Sequence, residues 1–153
     1  MTGTRRFPVF ATFILALLTL LFAQAAQARE MVSIARPEVN LRSGPGTSHE
    51  IAWILGRGYP LEVLARKGQW LRVRDFESDE GWVHRSLTGK TPHVVVKAKV
   101  ANIRSAPDLR SRIVGKAGYG EVLRTLARRA DWIRIRSDSG QVGWIARRLT
   151  WGW

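Results

Sequence analysis

The sequence predicts an all-β protein, built as two tandem small β-barrels behind an N-terminal apolar helix. Three observations carry that expectation. First, Val39-Asn40-Leu41-Arg42-Ser43-Gly44-Pro45-Gly46 returns as Ala101-Asn102-Ile103-Arg104-Ser105-Ala106-Pro107-Asp108, an offset of 62 positions. The same offset carries Trp70 onto Trp132, Gly81-Trp82 onto Gly143-Trp144 and Leu87 onto Leu149, so one module has been duplicated. Second, short runs of period-2 alternation are separated by Gly- and Pro-rich turns at regular spacing. Third, beyond residue 28 no run has a clear 3.6-residue period; residues 121–129 are the one ambiguous stretch.

The first 28 residues are a separate object. Arg5 and Arg6 precede an apolar run over residues 9–22, and Ala26-Gln27-Ala28 or Ala23-Gln24-Ala25 offers a small-residue cleavage pattern. That layout predicts a secretory signal peptide over residues 1–28, because the run is shorter than the roughly 20 apolar residues of a spanning helix. Arg5-Arg6 hints at twin-arginine export, although Phe7-Pro8 continues such a motif poorly, and the export route stays open.

The chain of 153 residues has 25 Lys+Arg against 12 Asp+Glu, a formal +13, and removing the first 28 residues leaves +11. A charge of that size favours anionic partners. For an exported protein these are cell-wall polymer, lipopolysaccharide or phospholipid headgroups rather than nucleic acid. Cysteine is absent, which removes disulfides, thiolate catalysis and thiolate metal ligands. Two units of about 60 residues without staples are each near the lower limit for a single core. The halves are therefore expected to pack on each other.

In chain order, residues 31–35 read as a first strand ended by Arg36-Pro37. Residues 39–42 alternate, and the following Ser43-Gly44-Pro45-Gly46 is a dense loop signal in which the glycines allow positive φ or a tight turn. Strands are expected at 51–55, 60–66, 70–74 and 81–84, with an exposed acidic loop at 75–80 and one helical turn at 85–87. Thr88-Gly89-Lys90-Thr91-Pro92 reads as a linker, too short to be a flexible tether. The cycle then repeats with strands at 93–100, 101–104, 112–116, 121–128, 132–136 and 141–146 and a closing turn at 147–149. The units so delimited are 29–88 and 89–150. Residues 151–153 form an aromatic C-terminal tail, either a docking element or a cover for the strand end.

Each half resembles a bacterial SH3 (SH3b) domain. The resemblance rests on the Asn-Leu-Arg-Ser-Gly-Pro-Gly opening, a Trp-x-Arg-Val strand, Gly-Trp-Val and a closing Leu. Residues 31–88 match closely; residues 93–150 match more loosely, with Ala106 and Asp108 in place of Gly44 and Gly46. The resemblance implies SH3-like barrels, no catalysis and association with cell-wall proteins.

Catalytic chemistry finds little support. A nucleophilic Ser needs a base and an orienting group, yet His49 maps onto Ser111 and His84 onto Ala146, so no Ser–His pairing recurs. Paired carboxylates for glycoside hydrolysis and a three-ligand metal spacing are likewise not visible. No cofactor and no metal are expected.

The strongest candidate is a face. Alternation puts Trp70, Arg72 and Arg74 on one side of their strand and Leu71 and Val73 on the other; Trp132, Arg134 and Arg136 repeat the pattern. Guanidinium groups do not enter a dry core unpaired, so this face points outward, where Trp and Arg suit sugar rings, carboxylates or phosphates. The plainer alternative is that Trp covers the barrel end while Arg pairs with nearby acids. Trp82 and Trp144 are expected to pack inside. Asn40, Arg42, Asn102 and Arg104 are expected to tie loops to backbone carbonyls, and Pro45 and Pro107 to set loop geometry. Gly81 and Gly143 belong to the barrel motif. The second half is the more basic, through Arg124, Arg128, Arg129, Arg147 and Arg148 among others.

These features predict an exported, non-catalytic protein that attaches to peptidoglycan, its stem peptides or another anionic envelope polymer. The rival expectation is an adaptor that grips an extended or Pro-rich segment of an envelope protein. A hydrolase or hydrolase-accessory role is the third.

Overall fold

The computed structural model describes residues 28–153; all but the last residue of the expected signal peptide lies outside the described residues. The first unit comprises β1 (Met31–Ile34), β2 (Glu38–Arg42), β3 (Ile51–Gly56), β4 (Pro60–Lys67), β5 (Trp70–Arg74) and β6 (Glu80–His84), then a 3-10 turn (Arg85–Leu87) and β7 (Thr88–Gly89). The second comprises β8 (His93–Val96), β9 (Val100–Arg104), β10 (Ile113–Gly118), β11 (Val122–Arg129), β12 (Trp132–Arg136) and β13 (Val142–Ala146), then a 3-10 turn (Arg147–Leu149) and β14 (Thr150–Gly152). Each unit is one antiparallel seven-stranded sheet, ordered β3-β2-β6-β5-β4-β1-β7 and β10-β9-β13-β12-β11-β8-β14. No helix among the described residues is long and apolar enough to cross a membrane.

Each sheet curls round its own core, and the cores correspond residue by residue. Val32, Ile34, Val39, Leu41, Leu55, Leu61, Leu71, Val73 and Val83 fill the first. Val94, Val96, Ala101, Ile103, Ala117, Leu123, Ile133, Ile135 and Ile145 fill the second, every one at the 62-residue offset. Volume lost where Ile34, Val39 and Leu55 become Val96, Ala101 and Ala117 is only partly returned where Val73 and Val83 become Ile135 and Ile145.

The ambiguous run at 121–129 is a strand. Its alternation is broken by a bulge between Thr125 and Ala127, and β4 carries the equivalent bulge between Val63 and Ala65. One extra residue shifts the side-chain phase. The curl itself depends on glycine. Strand β2 meets β6 at the single pair Arg42↔Trp82, and a Cβ on Gly81 would fall 2.5 Å from the Leu41 side chain and 3.1 Å from the Arg42 carbonyl. Gly143 stands in the same relation to Ile103 and Arg104.

Three expectations are corrected. Thr88 and Gly89 are not linker but strand β7, paired to β1, so the connection shortens to Lys90-Thr91-Pro92, where the Thr91 carbonyl accepts from Ser33 Oγ at 2.8 Å. The aromatic tail is not separate from its barrel: Trp151 and Gly152 close the second sheet against β8. The buried Thr125 hydroxyl holds it by donating to the Trp153 carbonyl at 2.8 Å. The loop at 75–80 is not wholly solvated either. Asp75 is buried, accepts the Glu77 and Asp79 backbone N–H groups at 2.9 Å each, and accepts the Tyr59 hydroxyl at 3.3 Å.

That loop also joins the halves. Phe76 lies between Tyr59 and Tyr119, with ring centroids 6.4 and 5.4 Å away, and the Tyr119 hydroxyl donates to Glu77. Burial, then the Asp75 carboxylate, raises the Tyr59 pKa. The carboxylates of Asp75, Glu77 and Asp79 lie within 4.8 Å of one another. Two of the three are engaged: Asp75 by loop backbone N–H groups and Tyr59, and Glu77 by Tyr119.

Candidate binding grooves

Strand β5 shows the alternation expected of it: Leu71 and Val73 are buried, Arg72 is exposed, and Trp70 and Arg74 are half-buried. Strand β12 does the same with Ile133 and Ile135 inside. The face is outward, as the charge argument requires. Trp82 and Trp144, however, are on that face too. They pair across the sheet with Arg72 and Arg134 and, on their other side, with Arg42 and Arg104, while Gly81, Val83, Gly143 and Ile145 point inward. The pleat that sends one residue in sends its neighbour out. The indoles are half-buried covers, not core.

Each Trp that begins its strand lines a groove. In the first barrel the groove is about 340 Å³, lined by Asn40, Arg42, Thr47, Trp70, His84 and Ser86 among others. His84 meets Trp70 edge-on, with centroids 5.3 Å apart and planes at 87°. Its Nδ1 is held by Ser86, 2.8 Å from the hydroxyl and 3.4 Å from the backbone N–H, so this Ser–His contact caps the 3-10 turn. In the second barrel the groove is about 790 Å³; Leu109, Trp132, Ala146 and Arg148 stand where Thr47, Trp70, His84 and Ser86 stand in the first. Replacing the His84 imidazole by the Ala146 methyl removes the buttress from Trp132 and opens the site. Arg128, Arg147 and Trp151 line the added space.

Arg42 donates to the Thr47 and His49 carbonyls at 3.0 and 2.8 Å, and Arg104 to the Ser111 carbonyl at 2.8 Å, so both guanidinium groups reach into the loops that follow their strands. Gly44 has a different role from the one its conformational freedom suggested. Neither it nor Gly46 has positive φ; a Cβ on Gly44 would fall 2.5 Å from the His49 ring.

The bacterial SH3 domain models match residues 35–90 and 99–150. The chain belongs to the bacterial SH3 domain family. Among curated relatives, it is 26% identical over 136 residues to YrvJ of Bacillus subtilis (strain 168), provisionally named an N-acetylmuramoyl-L-alanine amidase. The match covers 82% of this chain and 26% of that protein, so the SH3 pair spans about a quarter of the relative's length. Similar solved structures include an NlpC/P60 family protein from Bacillus cereus ATCC 10987, at 14% identity and TM-score 0.39, covering 81% of this chain and 56% of that one. The CBD of endolysin LysPBC5 is another, at 17% identity and TM-score 0.33, covering 83% and 96%.

Within this SH3 pair the six residues singled out on the outer face do not form one cluster. Trp70 and Trp132 line the grooves, whereas the four arginines lie along the face beyond them. Arg72 donates through Nε and Nη2 to Glu80 at 3.0 and 2.6 Å, and Arg74 to Glu62 at 3.0 Å. Among the described residues Arg134 and Arg136 form no ion pair. The alternation signal could not reach His84, Arg128, Arg147 or Trp151, which the end of β6, β11, the second 3-10 turn and the closing strand bring to the grooves. The duplication could have reached His84, whose counterpart Ala146 lines the other groove; Arg66, Arg85 and Gly89, the counterparts of the other three, do not line the first groove.

Proposed function

We propose that the chain is an exported, non-catalytic wall-binding protein that attaches to an anionic envelope component, peptidoglycan or its stem peptides, through its two Trp-lined grooves. The observation that carries this reading is the recurrence of a groove at the same place in both barrels, with an indole wall at Trp70 and Trp132 and guanidinium groups beside it. Indole faces suit sugar rings and apolar peptide groups, and Arg suits carboxylates. Family membership supports it, as does the likeness to a protein named for cleaving N-acetylmuramoyl-L-alanine, in which SH3 domains of this kind accompany other sequence. Arg72, Arg74, Arg134 and Arg136 would add charge at the margin. The test is sedimentation of the purified protein with purified sacculi. Co-sedimentation that falls after Trp70→Ala plus Trp132→Ala supports the reading, and protein left in the supernatant at low salt refutes it.

A second reading has its own observation. Strand β3 is a sheet edge on which Ile51, Trp53 and Ile54 are 50%, 56% and 66% exposed. An unpaired apolar edge suits addition of an extended partner segment as a further strand. Recovery of one envelope protein at high salt, abolished in Trp53→Lys, would favour this adaptor role.

A further inference from the structure

The grooves are equivalent in position but differ in electrostatic state. Residues 29–90 carry ten Lys+Arg and eight Asp+Glu, a formal +2; residues 91–153 carry 13 and four, a formal +9. Every ion pair among the described residues runs through Glu30, Glu62 or Glu80. At the 62-residue offset these three become Pro92, Arg124 and Val142. The second barrel thus keeps three of the five paired cations, as Arg128, Arg134 and Arg136, and loses each neutralising acid.

The consequence is sharpest in the groove. Arg66 and Arg85 of the first barrel correspond to Arg128 and Arg147. Arg66 is held by Glu30, with Nη2 donating to both carboxylate oxygens at 2.5 and 2.6 Å. Among the described residues Arg128 has no such partner; partial burial, then the Arg147 charge, lowers its pKa. Arg148 takes the place of Ser86, and Asp131 is the one carboxylate among the lining residues. Guanidinium groups gathered this way are at their most stable when an anion joins them.

We propose that the second-barrel groove is a polyanion site that takes a phosphate-bearing polymer, with Arg128, Arg147 and Arg148 on the phosphate groups and Trp132 and Trp151 against the polymer's apolar faces. The proposal rests on the envelope-binding reading and assigns its salt-sensitive component to one barrel. A tetrahedral phosphate offers oxygens in three directions that separate guanidinium groups can share, whereas a carboxylate offers two oxygens in one plane. Several cations along a groove of this length match several charges along a chain better than one isolated ion.

The test is a tryptophan-fluorescence titration of the purified protein with inorganic polyphosphate. Arg128→Gln plus Arg147→Gln should weaken binding at least tenfold and reduce the slope of log K against log salt by about two, roughly one for each guanidinium removed from a phosphate. Arg66→Gln plus Arg85→Gln, at the matching positions of the first barrel, should change affinity less than twofold. Equal weakening by both double variants, or a slope that does not change, would overturn the site. Poly-L-glutamate of matched charge should bind several-fold more weakly, and equal binding would overturn the choice of phosphate. All four arginines are exposed, so the variants are expected to fold, and thermal denaturation checks it. Sacculi separate this proposal from the one beneath it. If the Arg128/Arg147 variant pellets with intact sacculi as wild type does, the polyanion site fails and envelope binding stands. If wild type binds polyphosphate but no sacculi, the envelope reading fails and the site stands.

Discussion

At position 44 the second copy of the module shows what the first requires. His49 folds its ring over Gly44 and leaves no room for a Cβ; in the copy, Ala106 is tolerated because Ser111 replaces the imidazole. The Ser111 hydroxyl makes its own loop bond, donating to the Ala106 carbonyl at 2.8 Å. Gly44→Ala alone should therefore destabilise the first barrel by about 1–3 kcal/mol, the range for overpacking. Adding His49→Ser should recover most of that stability in a double-mutant cycle measured by urea unfolding. If the two effects simply add, the ring is not the obstacle. Gly81 has no comparable escape, since its neighbours are a core Leu side chain and a backbone carbonyl. Gly81→Ala should cost about 1–3 kcal/mol, with no one-residue rescue at Leu41 that does not also open the core.

Strands β4, β5, β11 and β12 show how far patterning reaches. In β5 and β12 the inward and outward residues were legible from alternation alone, whereas the bulges of β4 and β11 break the phase; the same rule applied to β6 would have put Trp82 outside with Arg72. General preference for buried Trp was the weaker guide. What alternation cannot supply is register, which turn lengths and bulges set. Register makes Glu62 face Arg74, and it makes Arg124 face Arg136 in the copy. Two like charges directly opposed on one face of a sheet destabilise it. Arg124→Glu should restore the first barrel's pattern and stabilise the second by about 0.5 kcal/mol, less as salt rises. Chemical unfolding at low and high salt would show it, and a stabilisation indifferent to salt would assign the effect to something other than the opposed charges.

At the scale of the whole molecule, the duplication, the two cores and the family were open to sequence reasoning because they are encoded at a fixed offset. The contact between barrels was not, because its residues have no counterparts: Tyr59 maps onto Glu121, Tyr119 onto Arg57 and Phe76 onto Asp138. His93 sits at this junction, its ring against Gly58, its strand opposite Arg124 and its carbonyl accepting the Trp153 N–H at 3.1 Å. Its Nδ1 donates to the Thr91 carbonyl at 2.9 Å, which favours the charged form. Burial, then the Arg124 charge, outweighs that bond and the Asp138 charge, so the folded pKa lies below the ordinary 6.5. The sign follows from proton counting. Between the two pKa values the unfolded chain binds more protons than the folded one, so His93 leaves stability intact above pH 6.5 and erodes it as pH falls toward the folded value. Glu30, whose pKa Arg66 lowers below 4.5, acts in a separate and more acid window. The melting temperature should therefore decline between about pH 7.5 and 5.5 in the native chain and stay flatter in His93→Gln. An equal decline in both would place the titration elsewhere and leave the barrel junction without a pH-dependent contact.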